Sequence, residues 1–150
     1  MTDLTKNNRL ISLIEESSRI IVATHMKPDG DAMGSALAMY RFIKAYFKAG
    51  VQIVLNDRYP QNLAFMTDSS ESQDILVLCE NEEDTSAAII SSDLLICLDF
   101  NAFHRTDRLE PLLAGASCRK VLIDHHLMPE ADAFDLVFSE PSSSSTCELL

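Results

Sequence analysis

Three short polar segments of the sequence combine carboxylates with imidazoles, and all 4 histidines of the chain lie in them. The segments are residues 24–31 (THMKPDGD), 99–105 (DFNAFHR) and 124–126 (DHH). Each segment lies at the end of an apolar run that is typical of a strand buried on both faces. A mixture of imidazole and carboxylate ligands suits Mn²⁺, Fe²⁺, Co²⁺ or Zn²⁺, and suits Mg²⁺ less well.

Each segment also has a purely structural interpretation. Pro28, Asp29 and Gly30 are typical of a turn, and Asp31 is a suitable N-cap for a following helix. The consecutive imidazoles of the third segment are harder to explain by packing. If the three segments meet, several carboxylates lie together, and burial raises their pKa values unless a cation neutralises them. The segments taken together therefore predict a metal site.

The number of candidate donors favours two metal ions over one. One loop offers His25, Asp29 and Asp31, a second offers Asp99, and a third offers His125. A single catalytic ion with an open coordination position needs fewer protein ligands than these. Two ions about 3.5–4 Å apart that share a carboxylate would use them all, activate water at neutral pH and hold a phosphoryl group for in-line displacement.

The apolar pattern around these segments predicts alternating strands and helices. Strands are predicted at residues 19–24, 51–55, 75–78, 94–98 and 120–123, with a last edge strand at 134–138. Helices are predicted at residues 3–17, 31–48, 60–66, 82–90 and 107–114, and from residue 145 onwards. This alternation predicts an α/β domain with a doubly wound, mainly parallel sheet of about five strands and helices on both faces. Sites in such sheets lie beyond the carboxyl ends of the strands, where the three polar segments fall.

Composition and charge narrow the class of protein. A chain of 150 residues is the size of one domain. Its formal net charge of −11 argues against a broad basic face for long duplex nucleic acid. The 4 cysteines include no CxxC pair, the N-terminal residues lack a signal-peptide pattern, and no apolar stretch is long enough to span a bilayer. We therefore expect a cytoplasmic protein with reduced cysteines and no membrane partner.

The three segments resemble the motifs of the DHH phosphoesterase superfamily. His25-x-x-x-Asp29-x-Asp31 resembles its first motif, Asp99 at a strand end resembles its second, and residues 124–126 resemble the signature triplet. Residues 32–35 (AMGS) resemble the continuation of the first motif. The resemblance extends over residues 20–150, and the chain is most similar to the bacterial nano-RNase and pAp-phosphatase branch.

The resemblance implies a Rossmann-like domain that hydrolyses phosphodiester or phosphomonoester bonds with two Mn²⁺ ions, or with Mg²⁺, Co²⁺ or Fe²⁺ in their place. The implied substrates are short oligoribonucleotides and 3′-phosphoadenosine 5′-phosphate (pAp), a nucleoside bisphosphate. Three alternatives stay open: an inorganic pyrophosphatase or exopolyphosphatase, a cyclic-dinucleotide phosphodiesterase, and a non-catalytic module that binds metal or nucleotide. A homodimer is also compatible with this resemblance.

The resemblance also assigns roles to individual residues. It implies these metal ligands: His25, Asp29, Asp31, Asp99 and His125. It implies these catalytic residues: His126, Asp31 and Asp99. Asp99 would bridge the two ions, His126 would face the substrate phosphate as a hydrogen-bond donor or general acid, and Asp124 would orient an imidazole or a loop. Candidate substrate contacts lie just past the second motif: Asn101, His104 and Arg105.

The resemblance does not extend to every part of a superfamily member. A fourth motif, whose aspartate binds the second metal, and a smaller C-terminal substrate-binding domain would follow Leu150. We therefore expect residues 1–150 to be the N-terminal catalytic domain of a longer protein, with a naturally short chain that carries an incomplete site as the alternative. On this expectation the isolated chain would hold one metal better than two and would bind substrate weakly.

Overall fold

The computed structural model describes residues 3–150 and contains a sheet of six parallel strands. The strands are β1 Arg19–Ala23, β2 Gly50–Leu55, β3 Ile75–Val77, β4 Leu94–Leu98, β5 Arg119–Asp124 and β6 Leu136–Ser139. Their order is β3-β2-β1-β4-β5-β6, so the direction of winding reverses between β1 and β4. This confirms the doubly wound α/β prediction. The sheet has one strand more than the estimate of about five, because the predicted edge strand forms as β6 and pairs with β5.

Helices cover both faces of this sheet. The α-helices are α1 Asp3–Glu16, α2 Gly30–Tyr46, α3 Glu82–Ile90, α4 Glu110–Gly115 and α5 Thr146–Leu149. Short 3₁₀ helices occupy Gln61–Met66, Glu71–Asp74, Phe103–Leu109 and Ala131–Ala133. Side chains of α1 and α2 pack on one face of the sheet, and side chains of α3 and α4 pack on the other. Within residues 3–150, no helix combines the length and the apolar character that crossing a bilayer requires.

The strands are apolar throughout because both of their faces are covered. In β1, Ile20 and Val22 join the cluster beneath α1 and α2, while Ile21 and Ala23 join the cluster beneath α3 and α4. Every residue of β4 is buried. Chemistry on these strands is therefore confined to their ends, where the chain leaves the core.

Several helix boundaries differ from the sequence prediction, and two of the differences have a clear local cause. Helix α2 begins at Gly30 rather than residue 31, because Asp29 and not Asp31 is its N-cap and accepts a hydrogen bond from the Ala32 backbone N at 3.0 Å. The helix predicted at 107–114 is divided into a 3₁₀ helix and α4. Asp107 interrupts it with φ 52 and ψ −118, and Pro111 lies in the first turn of α4, where a proline is tolerated.

Helix α5 lies close against the N-terminal half of α2, and Gly34 permits this approach. A Cβ atom at Gly34 would lie 2.9 Å from Cys147 Sγ, which is closer than such atoms pack. The backbone N of Cys147 donates to Asp31 Oδ1 at 2.9 Å on the same side of α2. The small residue therefore allows α5 to reach the loop that follows β1.

We predict that Gly34→Ala and Cys147→Ala are coupled in a double-mutant cycle. In the unaltered chain, Gly34→Ala should lower the free energy of unfolding by about 1–3 kcal/mol, because the new methyl group overpacks against Cys147 Sγ. In a Cys147→Ala background the same change should stabilise by up to about 1 kcal/mol, because alanine forms helix better than glycine. Urea unfolding of the four proteins measures the coupling, and additive effects would show that the contact is absent.

Candidate metal centre

The loops after β1, β4 and β5 meet at the carboxyl edge of the sheet. These three strands are neighbours, so their ends lie side by side. His25 Nε2 is 3.5 Å from Asp99 Oδ2, and His125 Nε2 is 3.4 Å from Asp99 Oδ1. The structure thus brings together one side chain from each of the three sequence segments, with the carboxylate of the middle strand between two imidazoles.

Asp99 is the centre of this cluster and is held in an unusual backbone conformation. It is 2% exposed and has a φ of 64°, in the left-handed region that aspartate enters more readily than most residues. Its backbone N donates to the carbonyl of Ile123 at 3.1 Å, which continues the pairing of β4 with β5. The chain turns at this residue, and its side chain faces the imidazoles from both neighbouring strands.

The orientation of both imidazoles leaves their Nε2 atoms directed at carboxylates. His25 Nδ1 is 2.7 Å from the carbonyl of Met26, and His125 Nδ1 is 3.3 Å from the carbonyl of Ser143. A carbonyl oxygen only accepts hydrogen bonds, so Nδ1 carries the proton in each ring. Nε2 of each ring therefore faces Asp99 and is the nitrogen left for a metal ion when the ring is neutral, an arrangement that metal-binding histidines commonly show.

Asp29 and Asp31 border the same cluster but already accept backbone hydrogen bonds. Asp29 Oδ1 is 3.8 Å from His25 Nε2 and also caps α2. Asp31 Oδ2 is 3.5 Å from His125 Nε2, while its two oxygens accept from the backbone N atoms of Thr146 and Cys147 at 2.8 and 2.9 Å. Each carboxylate retains free lone pairs with which it could bind a cation.

His126 is oriented by Asp124, the last residue of β5. Its Nδ1 donates to Asp124 Oδ1 at 2.6 Å, and its backbone N donates to Asp124 Oδ2 at 3.1 Å. The Asp124 side chain is fully buried, whereas the His126 side chain is 34% exposed. Since Nδ1 is engaged with Asp124, the opposite nitrogen, Nε2, is the one available to a substrate or a metal.

The pKa values of His25 and Asp31 are both shifted from their ordinary values. The hydrogen-bonding contact with Asp99 raises the pKa of His25, against the opposing effect of burial. Burial works to raise the pKa of Asp31, but the backbone N–H groups of Cys147 and Thr146 outweigh it, so that this pKa is lowered. Asp31 is therefore stabilised as an anion, and His25 is stabilised as a cation beside Asp99.

The donor groups fit divalent metal ions. Two sets of side chains place one potential ligand atom each within 4.8 Å of one another: His25, Asp29 and Asp99, and Asp99, His125 and His126. Asp99 belongs to both sets, as a bridging carboxylate would. Of the predicted ligands, Asp31 lies outside both sets and adjoins the second through His125.

Residues 143–147 contribute to the cluster, although the sequence analysis did not assign them to it. Thr146 Oγ1 donates to Asp99 Oδ1 at 2.9 Å, in addition to the backbone contacts with Asp31 and His125 described above. The sequence did contain a signal, because Ser145 and Glu148 have the spacing of a capping box, and Glu148 N donates to Ser145 Oγ at 3.1 Å. That signal predicts where α5 begins but not that its N–H groups reach the first motif.

The three predicted substrate contacts lie in the segment that follows Asp99, and their surroundings differ. Asn101 Nδ2 donates to the carbonyl of Leu127 at 2.9 Å and so ties the loop after β4 to the loop after β5. His104 is exposed and Arg105 is half-buried in the 3₁₀ helix that follows. The Arg105 carbonyl accepts from the Met26 backbone N at 2.9 Å, and its guanidinium makes no hydrogen bond or ion pair within residues 3–150.

Comparison with known proteins identifies a family and several relatives. The model of the DHH family, N-terminal domain, matches residues 19–150. The chain is 31% identical over 150 residues to the cyclic-di-AMP phosphodiesterase GdpP of Geobacillus thermodenitrificans, a match that covers 96% of this chain and 22% of that protein. It is 26% identical over 141 residues to the bifunctional oligoribonuclease and PAP phosphatase NrnA of Mycoplasma genitalium, covering 92% of this chain and 40% of that protein.

A solved structure has the same fold. The crystal structure of an exopolyphosphatase-related protein from Bacteroides fragilis matches with a TM-score of 0.90 and 34% identity. The match covers 99% of this chain and 43% of that one. The chain thus spans less than half the length of each of these relatives.

We predict that Mn²⁺ raises the Tm of the chain through Asp99. A metal that binds only the folded state stabilises it by about 2.7 kcal/mol at a hundred times its Kd. Asp99→Asn should remove most of this stabilisation, because Asp99 belongs to both donor sets. His104→Ala is the control, since His104 is the histidine outside both sets. Thermal unfolding with and without Mn²⁺ makes the measurement, and an undiminished shift in Asp99→Asn would contradict the assignment.

We also predict that the stability contributed by His25 without metal falls as pH rises, whereas the stabilisation by Mn²⁺ increases as pH rises. With a chelator present, the protonated His25 beside Asp99 stabilises the fold fully below its unfolded pKa of about 6.5. That contribution is lost as pH rises through the higher folded pKa of His25. Mn²⁺ needs the neutral ring, so the Mn²⁺-induced shift in Tm should grow from pH 5.5 to pH 8 by the same linkage. A shift that is constant over this range would exclude His25 as a ligand.

Proposed function

The chain belongs to the DHH family, and on this premise we propose that it catalyses metal-dependent hydrolysis of phosphate esters in short oligoribonucleotides and in pAp. The observation that carries the proposal is the position of Asp99, whose two carboxylate oxygens face the Nε2 atoms of His25 and His125 from opposite sides. A buried carboxylate between two imidazoles matches a centre built to bind cations and has no evident packing purpose.

The proposed metal ligands divide into two groups around this carboxylate. His25 and Asp29 lie on one side of Asp99, and His125 and Asp31 lie on the other. Divalent ions bound there would act as Lewis acids on the phosphoryl oxygens and would lower the pKa of water. The protein fixes the direction of these ligand groups. Backbone carbonyls orient the rings of His25 and His125, and a backbone N–H group orients the carboxylate of Asp31.

His126 is the proposed proton donor or hydrogen-bond donor to the substrate phosphate. Its ring is partly exposed, while Asp124 fixes the direction of that ring through two hydrogen bonds. With Nδ1 committed to Asp124, a proton held at Nε2 would be directed away from β5 and toward bound substrate. This geometry supports the role assigned to His126 from its motif.

The substrate would be a small nucleotide rather than a long nucleic acid. Lys27 and Arg105 follow β1 and β4 at this edge, and their side chains form no ion pair within residues 3–150. We propose Arg105 as a phosphate contact, since a guanidinium can donate two parallel hydrogen bonds to phosphate oxygens. Two cations suit one or two phosphate groups, whereas a long polyphosphate would require more of them. The similarity to NrnA supports pAp and short RNA as substrates.

A cyclic dinucleotide is the second candidate substrate. The observation that favours it is the similarity to GdpP, which at 31% identity exceeds the 26% identity to NrnA. Both candidates are adenine nucleotides or short ribonucleotide chains with phosphoester bonds, so the same metal centre would serve either. The segments that bind the base would decide between them.

We predict that the protein at its natural length, supplied with Mn²⁺, hydrolyses pAp and a diribonucleotide faster than cyclic-di-AMP or pyrophosphate. His125→Ala and Asp99→Ala should each lower kcat by more than about a hundredfold, beyond the effect usual for loss of an outer partner of a ligand. Chromatographic analysis of the products measures each rate. Unchanged turnover in both variants would reject the proposal, and preferential cleavage of cyclic-di-AMP would select the second candidate.

The same assay tests the phosphate contact with a matched pair of arginine variants. Arg105→Ala should raise KM with little change in kcat, because it removes binding that substrate and transition state share. Arg108→Ala is the control, since Arg108 lies on the same 3₁₀ helix but is paired with Glu82 at 2.8 Å. Equal KM values for the two variants would exclude Arg105 from the substrate site.

A further inference from the structure

Thr146, the first residue of α5, holds two of the proposed metal ligands at once. It is fully buried, and its Oγ1 donates to Asp99 Oδ1 at 2.9 Å. Its backbone N donates to Asp31 Oδ2 at 2.8 Å. Asp99 follows β4, and Asp31 lies in the first turn of α2. One residue therefore joins carboxylates from two separate elements of the fold.

We propose, resting on the function proposed above, that Thr146 is a positioning residue that fixes the Asp99 carboxylate with Oδ1 toward His125 and Oδ2 toward His25, the orientation in which it could be shared by two ions. The terminal torsion of an aspartate side chain is broad, so its two oxygens need an external partner to hold them in one plane. Thr146 Oγ1 fixes Oδ1 on the side of His125, which leaves Oδ2 facing His25. Oδ1 keeps a second lone pair, so this hydrogen bond is compatible with metal binding.

The rest of the segment explains why Thr146 in particular carries this function. Three other contacts of residues 143–147 with the cluster come from the backbone: the carbonyl of Ser143 near His125, and the N–H groups that hold Asp31. These three contacts follow from the path of the chain and do not depend on residue type. Cys147 Sγ also contacts this region, but it donates to the backbone carbonyl of Asp31 at 3.5 Å and not to a carboxylate. The Thr146 hydroxyl is the side-chain group of this segment that reaches Asp99.

Two substitutions separate the hydroxyl from the shape of the side chain. Thr146→Val keeps the branched side chain and removes the donor, whereas Thr146→Ser keeps the donor. Loss of a group that orients a ligand typically weakens metal binding by about 10–100-fold. We expect Thr146→Val to weaken Mn²⁺ binding by that factor and Thr146→Ser to remain close to the unaltered chain.

Thr85→Val is the matched control for loss of a buried hydroxyl. Thr85 is also fully buried, and its Oγ1 donates to the Asn81 carbonyl at 2.6 Å, in α3 on the opposite face of the sheet from α2. Both valine variants should lower the Tm measured with a chelator present. Only Thr146→Val should weaken Mn²⁺ binding, because Thr85 has no contact with a proposed ligand.

Isothermal titration calorimetry with Mn²⁺ alone, without substrate, measures the Kd for Mn²⁺ of the unaltered chain and of the Thr146→Val, Thr146→Ser and Thr85→Val variants. Weaker binding in Thr146→Val, with near-normal binding in Thr146→Ser and Thr85→Val, supports the inference. Unaltered affinity in Thr146→Val, equal weakening in both valine variants, or failure of serine to restore binding would each overturn it. If the calorimetry gives the expected pattern while no phosphate ester is hydrolysed, the proposed function fails and the positioning role stands.

Discussion

The Asp99 carboxylate is buried between two imidazoles, and the electrostatic cost of that position governs the organisation of the whole site. A buried anion is tolerated only when hydrogen bonds or positive charge compensate for lost hydration. The order of the strands makes this compensation possible. Strand β4 lies between β1 and β5, so the histidines in the loops after both neighbours can reach Asp99. A carboxylate at the end of an outer strand would have met only one of them.

The other carboxylates of the site are compensated by backbone N–H groups and not by lysine or arginine. Asp29 accepts from Ala32 N, Asp31 from Thr146 N and Cys147 N, and Asp124 from His126 N. Backbone dipoles stabilise a negative charge without cancelling it. The cluster therefore keeps its net negative charge, and a divalent cation does not have to displace a lysine or arginine side chain to enter. Arg41, Arg58, Arg108 and Arg119 are paired with carboxylates elsewhere on the described surface.

The sequence predicts the fold and the convergence of the three motifs more fully than it predicts the hydrogen bonds that hold the motif side chains in place. The bounds of β4 and α3 agree with the prediction to the residue. Strand β4 is a continuous apolar run with polar residues on both sides. Helix α3 begins with a turn of acidic residues, which marks its N-terminus in the sequence. The division of the helix near Asp107 was not predicted, because a positive φ at a non-glycine residue leaves no pattern in the sequence. The contribution of Thr146 was missed for a related reason. The Thr146 hydroxyl donates to Asp99, which lies 47 positions away in the sequence. The backbone N of Thr146 donates to Asp31, and a backbone donor cannot be recognised from residue type.

A proton and a metal ion would neutralise the same carboxylate in this site. The raised pKa of His25 comes first from its contact with Asp99, so the folded chain favours a positive charge beside that oxygen whether a proton or a metal ion supplies it. The hydrogen bond from His25 Nδ1 to the Met26 carbonyl stays in place in either case, because only Nε2 exchanges its partner. The ring would therefore not have to rotate if a metal ion replaced the proton. The geometry of His25 as it stands would suit either partner, and pH would set the balance between a proton and a metal ion at the proposed site.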